Sequence, residues 1–260
     1  MVFRRFAANL RRQDWTAVIV ELVVVVVGVF IGLQASNWNE DRQTDAKAAV
    51  FTQRLRADLR EEAWAYEYEI GYTNEVLANA RHAADALSGK RPLSDEALLI
   101  AAYRATQYVF NGRRRATYDE LTSTGDIGLI RDPALRDLAM RVYTIPIFNN
   151  ILEEGTNNPY RKAFRMALPH DVQQAIAAAC GDRHLEPGDY KGIAHSLDYP
   201  CSSGLPPQVI AASAAVLRSD PQFLQLLRLR IAQVGTNQDN LTLYYPEVRS
   251  GLKAIAREKP

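Results

Sequence analysis

The sequence is poor in the residues from which catalytic and metal sites are most often built. It holds four histidines and two cysteines in 260 residues. None of them falls in an HExxH helix, and the chain has no GxSxG elbow, no phosphate-binding glycine loop and no Rossmann fingerprint. No recognisable catalytic set therefore points to an enzyme. His184, Glu186, Asp189 and His195 share one segment, but their spacing is irregular, and they read as a solvated polar loop. No metal and no other cofactor is expected. Charge of either sign is also scarce in excess. The 31 basic and 30 acidic residues leave a net charge of +1, whereas a nucleic-acid partner needs a concentrated basic surface. The one tight basic cluster, Arg113-Arg114-Arg115 after Gly112, reads as a solvated loop. Strand-like alternation and internal repeats are absent too, and no second long apolar run follows the first. The chain has one membrane span or none.

That first run, Ala17 to Leu33, is the feature around which the rest is organised. It holds 17 residues, eight of them valine, and a single ionisable group, Glu21. With Thr16 and Gln34 it reaches the short end of what crosses roughly 30 Å of hydrocarbon. Two readings compete with a permanent anchor. A cleaved signal peptide has the same basic-then-apolar order, yet the one cut that suits it, after Ala35, places bulky Leu33 at the −3 position. A buried core helix is the other, but apolarity on all sides suits lipid better. Arg4, Arg5, Arg11 and Arg12 precede the run, and Asn37, Trp38, Asn39, Glu40 and Asp41 follow it. The arginine side is expected to stay cytoplasmic, with Trp15 and Trp38 at the two headgroup levels.

Within the run, Gly28 and Gly32 form a GxxxG motif, and Ser36 extends the row of small residues. Such a face lets two helices approach closely, so a homodimer through the membrane helix is one expected association. Glu21 lies about one turn inside the cytoplasmic end. A carboxylate at that depth reads as a positioning or packing group, with a proton relay as the alternative.

Glu21 to Glu40, ELVVVVVGVFIGLQASNWNE, and Tyr118 to Arg131, YDELTSTGDIGLIR, carry a resemblance. They resemble the signature stretches of a family of bacterial single-span membrane proteins catalogued only as a domain of unknown function. The resemblance implies an anchored helical protein. It brings no activity, cofactor or catalytic residue with it.

From Glu40 the apolar positions recur mostly at helical spacing through Val50, Leu55, Leu59, Ala63, Tyr66, Ile70, Leu77, Ala80, Ala84 and Leu87, with no proline before Pro92. Ser88 to Pro92 stops this helix. Ser94 then caps a helix expected to run to about Val109, and Asn111-Gly112 makes a turn before a short helix over Ala116 to Thr124. Asp132-Pro133 and Asp220-Pro221 each combine a capping carboxylate with a proline at the first helical position. Pro146 should kink the helix that begins at Pro133, and Gly155 to Pro159 should break it. Asp171 to Ala179 and Pro207 to Arg218 give two more helices, and a last one spans Asp220 to about Glu258 with a bend near Thr242 caused by Pro246.

Cys180 and Cys201 flank the least regular stretch, punctuated by Gly181, Pro187, Gly188, Gly192 and Pro200. An even cysteine count in an exported domain favours a disulfide, with two free thiols as the alternative. Tyr118, Glu120, Ser123, Thr124 and Arg131 are denser in polar groups than their surroundings, which marks either a ligand or partner site or a set of helix caps. Tyr66, Tyr68, Tyr72, Tyr244 and Tyr245 read as core or core-edge residues.

The expected architecture is all-α. A cytoplasmic basic tail (1–15) leads to a transmembrane helix (16–36), and an extracytoplasmic antiparallel helical bundle with long first and last helices follows (37–260). The expected location is the inner membrane of a bacterial cell. The function this favours is a non-enzymatic scaffold or accessory subunit working through an envelope protein partner or self-association, with the lipid bilayer as its other partner. The alternative is an extracytoplasmic small-molecule sensor. With about 16 residues before the span, a sensor needs a partner to carry its signal inward. A hydrolase with an unrecognised site is a third, weaker reading.

Overall fold

A computed structural model of the protein describes residues 15–110 and 112–258. The basic tail with its four arginines, and Asn111 of the expected turn, lie outside the described residues. Among the described residues the regular structure is all helical, without a strand. The first helix, α1, runs from Trp15 to Leu87. It is the one described helix long and apolar enough to cross a membrane. The chain divides into two compact units, Met1–Gln53 and Arg54–Pro260.

In the first unit the apolar side chains from Ile19 to Leu33 are 48% to 64% exposed, on every side of the helix. Valine-rich sequence is a modest helix former in water. In hydrocarbon, however, an α-helix satisfies every backbone N–H and C=O within the segment. Trp38 follows, 63% exposed, with the Arg42 guanidinium 4.9 Å from its ring centroid one turn on.

The second unit is built on the rest of α1. Leu55, Leu59, Ala63, Tyr66, Ile70, Leu77, Ala80 and Ala84 are buried, as the spacing predicts, while Leu87 is half-buried and Val50, in the first unit, is 54% exposed. Ser88 to Pro92 ends the helix with Gly89 in the left-handed region (φ 77°). Then come α2 (Asp95–Arg104), α3 (Ala116–Ser123), α4 (Pro133–Thr144), α5 (Ile147–Asn157), α6 (Pro159–Ala167) and α7 (His170–Cys180). The inter-cysteine loop leads to α8 (Pro207–Ser219), α9 (Gln222–Asp239) and α10 (Pro246–Arg257). The largest core cluster gathers the alanines at the end of α1 with Leu98 and Leu99 of α2, Tyr160 and Phe164 of α6, Ile176 of α7, Leu217 of α8 and Leu227 of α9.

Side-chain caps fix several helix starts. Ser94 Oγ accepts the Ala97 N–H at 3.2 Å. Asp132 Oδ1 accepts those of Ala134 and Leu135 at 3.0 and 3.3 Å, and Asn158 Oδ1 those of Tyr160 and Arg161 at 3.0 and 3.2 Å. Each carries a donor that the first turn would otherwise leave free.

Three boundaries differ from expectation, each for a physical reason. The helix from Ser94 stops at Arg104, not Val109. Beyond it, the carbonyls of Ala105 and Gln107 accept from Arg230 at 3.2 and 2.7 Å, and that of Thr106 accepts from Arg161 at 2.9 Å. Distant guanidinium groups thus replace the helical bonds. Pro146 ends α4 outright instead of kinking it, because the residue before a proline is pushed out of the α region, and Ile145 is extended (ψ 132°). The break expected over Gly155 to Pro159 is present, at Asn158 between α5 and α6; Gly155 itself lies within α5, where the Tyr108 ring occupies the space that a Cβ would need. The last helix is two helices. Between α9 and α10, Asn240–Tyr244 forms a π-helical turn containing Thr242, just before Pro246, and the Tyr66 hydroxyl donates to the Leu241 carbonyl at 2.8 Å.

Candidate functional site: a groove beside the inter-cysteine loop

Cys180 and Cys201 form a disulfide that closes the loop between α7 and α8. In the chain-entropy description a bridge over about 20 residues contributes on the order of 3 kcal/mol. The loop has little regular structure beyond the 3₁₀ turn Gly192–His195, so side chains from elsewhere must satisfy its backbone. Glu75 of α1 does much of this. Its Oε2 accepts the N–H groups of Leu197 at 2.6 Å and Asp198 at 2.7 Å, and the Ser196 hydroxyl at 3.3 Å. Arg104 holds the other side, donating to the carbonyls of Cys180 (3.1 Å) and Tyr199 (2.8 Å) and to Asp198 (3.2 Å). Its guanidinium, 4% exposed as a residue, also stacks on Tyr199, whose ring carries Arg183 at 3.7 Å. Tyr72 donates to Asp182 at the start of the loop. Burial raises the Asp182 carboxyl above its ordinary range, against the Tyr72 hydrogen bond and the Arg161 charge.

Where the loop meets α1, Ile193 lies against Gly71 so closely that a Cβ there would overlap its Cγ2. Ile193 also packs on Trp64 and Ala65, and Trp64 stacks on Tyr68 at 5.1 Å. Glycine at position 71 therefore has a packing cause: it makes the seat for the loop.

Beside this seat runs an open groove of about 720 Å³ between α1, the loop and α10. Its apolar lining comes from Ala63, Ile70, Gly71, Ile193, Ala194 and Ala256. Glu67, Asn74, Glu75, Tyr190, Lys253 and Arg257 supply the polar groups. Glu67 accepts both Arg249 donors at 2.8 Å, with Lys253 at 3.4 Å. Burial works against its ionised form, but the hydrogen bond and charge of Arg249, with Lys253, outweigh it and hold Glu67 below the usual carboxylate range. A few polar groups converging on a concave apolar surface of this size is the usual make-up of a small-molecule site.

The polar residues singled out in sequence do not converge in this way. Tyr118 is buried and stacks on Tyr143 at 4.9 Å. Glu120 pairs with Arg54 at 2.8 Å. The Ser123 and Thr124 hydroxyls donate to the Glu120 carbonyl at 3.1 and 2.9 Å, closing α3 before Gly125 in the left-handed region (φ 76°). Arg131 is exposed in the connection to α4. Gly28 and Gly32 have open space where a Cβ would sit, and Ser36 is exposed.

Two other readings are corrected in part. Arg114 and Arg115 are exposed in a loop, as expected, though both are paired, while Arg113 turns inward. Arg113 bonds the buried Glu62 at 2.6 Å and lies 4.3 Å from the Phe148 ring centroid, Arg114 bonds Glu61 at 2.5 Å, and Arg115 grips Asp119 at 2.8 Å. Tyr66 and Tyr72 are core residues, but Tyr244 on the π-helical turn is 71% exposed. Of the acidic and histidine group in the loop, His184 and Glu186 form an exposed pair at 3.4 Å, and Asp189 accepts the Gly192 N–H at 2.9 Å. Among the described residues no cluster of three or more His, Cys, Asp or Glu could hold a metal ion.

Sequence reasoning missed Glu75, Arg104 and Arg257. For Glu75 a signal existed, since it interrupts the buried stripe of α1 beside Val76 and Tyr72.

The model of a family of unknown function, DUF6090, matches residues 21–158, more than half of the chain, and the chain belongs to that family. No curated protein and no solved structure matches it. The match takes in the groove's α1 wall, while the inter-cysteine loop and α10 lie beyond it.

Proposed function

We propose that this DUF6090 member is a bacterial inner-membrane protein with one span, residues 16–36, its N-terminus cytoplasmic and residues 37–260 an extracytoplasmic antiparallel helical bundle. It works there as a non-enzymatic scaffold or accessory subunit for an envelope protein partner. The observation carrying this reading is the fully exposed apolar stretch of α1 from Ile19 to Leu33. A run of that length exposed on every side costs too much in water and suits a bilayer. Arg-rich sequence before it and Asn-Glu-Asp sequence after it support the orientation. Gly28, Gly32 and Ser36 offer a face for self-association. Crosslinking of the full chain in its native membrane, followed by mass spectrometry, tests the reading. A reproducible envelope partner is the expected result; recovery of the bait alone counts against an accessory role.

A second reading is a ligand-binding, sensing domain that signals through a partner. The groove beside the inter-cysteine loop favours it, by its size, its apolar floor and its charged wall.

A further inference from the structure

The charged wall of the groove is unbalanced. Arg249, Lys253 and Arg257 lie along α10 at four-residue spacing, so they share one face of the helix. Glu67 is the carboxylate that answers them, bonding Arg249 with both oxygens and Lys253 at 3.4 Å. Arg257, exposed and lining the groove, pairs with no carboxylate among the described residues. Like charges at this spacing repel each other. An anion set between Lys253 and Arg257 relieves that repulsion and gains charge-assisted hydrogen bonds.

The groove's two ends differ. The Arg249–Glu67 and Glu258–Arg56 pairs fix how α10 lies along α1, with its C-terminal end toward the low-numbered residues. Arg257 therefore belongs to the Ala63 end. Glu75, the other carboxylate in the groove, lies twelve residues further along α1, about 18 Å away at the helical rise. Its Oε2 is committed to the loop N–H groups, and its Oε1 is buried without a partner. Between the two ends the apolar lining is Ile70, Gly71, Ile193 and Ala194, with Asn74, Tyr190 and the Arg249-paired Glu67 beside it. Cations at one end and an apolar track leading away from them match a molecule with an anionic head and an apolar body.

We propose that the groove between α1, the inter-cysteine loop and α10 binds an amphiphilic monocarboxylate, its carboxylate held by Arg257 and Lys253 and its apolar body laid along Ile70, Gly71 and Ile193. This inference rests on the ligand-binding reading and adds the chemical class of the ligand. It also assigns roles. Arg257 and Lys253 select charge, and Ile193, held in place by the loop anchors, sets the width of the track.

The test uses the full chain in phosphatidylcholine nanodiscs, with empty nanodiscs as background. The probes are 2-naphthoate, the neutral 2-naphthylmethanol and the cationic 2-naphthylmethylammonium. Naphthoate is expected to bind saturably and at least about ten-fold more tightly than the other two, and Arg257→Gln is expected to remove about that factor for naphthoate alone. Ala256→Trp, an exposed position on the groove wall, should abolish binding by filling the space. Equal binding of all three probes, blocked by Ala256→Trp, overturns the anionic class and leaves the ligand site standing. No saturable binding of any probe overturns both.

Discussion

The Glu75 carboxylate accepts the Leu197 N–H at 2.6 Å, across 122 positions of sequence. With the Asp198 N–H on the same oxygen at 2.7 Å, it ties the inter-cysteine loop to α1 at a point the disulfide does not reach. Hydrogen bonds to a charged group contribute about 1.5–3 kcal/mol each, and buried donors left unpaired cost more. Glu75→Ala should therefore destabilise the domain by about 2–3 kcal/mol. It should also speed hydrogen exchange at residues 193–199 selectively. Exchange there that matches the native chain would contradict the anchoring role.

Gly71 and Ile193 form a steric pair. A methyl group added at Gly71 meets the branched Cγ2 of Ile193, which is stiff about its first torsion. Gly71→Ala should cost about 1–3 kcal/mol by overpacking, and Ile193→Ala should relieve part of it. In a double-mutant cycle from urea denaturation the two changes should be non-additive by at least about 0.5 kcal/mol. Strict additivity would mean that Gly71 is not the seat.

Glu69 makes stability depend on pH. It is 3% exposed, and burial pushes its carboxyl from the ordinary 4.5 up to about 8, with the Thr73 hydrogen bond offsetting this in part. In the folded chain it keeps its proton over a range where the unfolded chain has lost it. Its contribution is thus fully present below about 4.5 and is lost as pH rises to about 8. The expected slope is about 1.4 kcal/mol per pH unit within that window. Glu69→Gln should flatten this part of the profile and be more stable than the native chain at pH 8. An unchanged slope would mean that Glu69 ionises normally.

A Cβ added at Gly28 or Gly32 would meet nothing within 4 Å among the described residues. If the small-residue face packs against a second copy, Gly28→Ile with Gly32→Ile should convert crosslinked dimer to monomer in native membranes, because the added side chains hold the backbones apart. An unchanged oligomer would remove this face from the account.

Much of the fold was legible because it is written locally. The stripe from Leu55 to Ala84 is periodic, and Asp132-Pro133 announces its helix with a cap and a fixed φ in adjacent residues. Pro146 marked a disruption, though its consequence was a full stop. What was not legible depends on partners far along the chain. The end of α2 at Arg104 is set by Arg161 and Arg230, which take over the carbonyls from Ala105 to Gln107. The groove is assembled from residues near 67, 193 and 253, and no spacing rule connects them. In the Tyr118 to Arg131 stretch the helix-cap reading is the one with visible bonds: α3 is short, and the Ser123 and Thr124 hydroxyls close its end on the Glu120 carbonyl.

The central claim is that residues 37–260 stand outside the cytoplasm on a retained anchor. Protease treatment of spheroplasts carrying the full chain with a C-terminal tag, read by immunoblot, tests it most directly. The account predicts a full-length, membrane-pelleting band whose tag is digested in intact spheroplasts. A tag protected until lysis, or a shortened soluble band released with the periplasm, would contradict it.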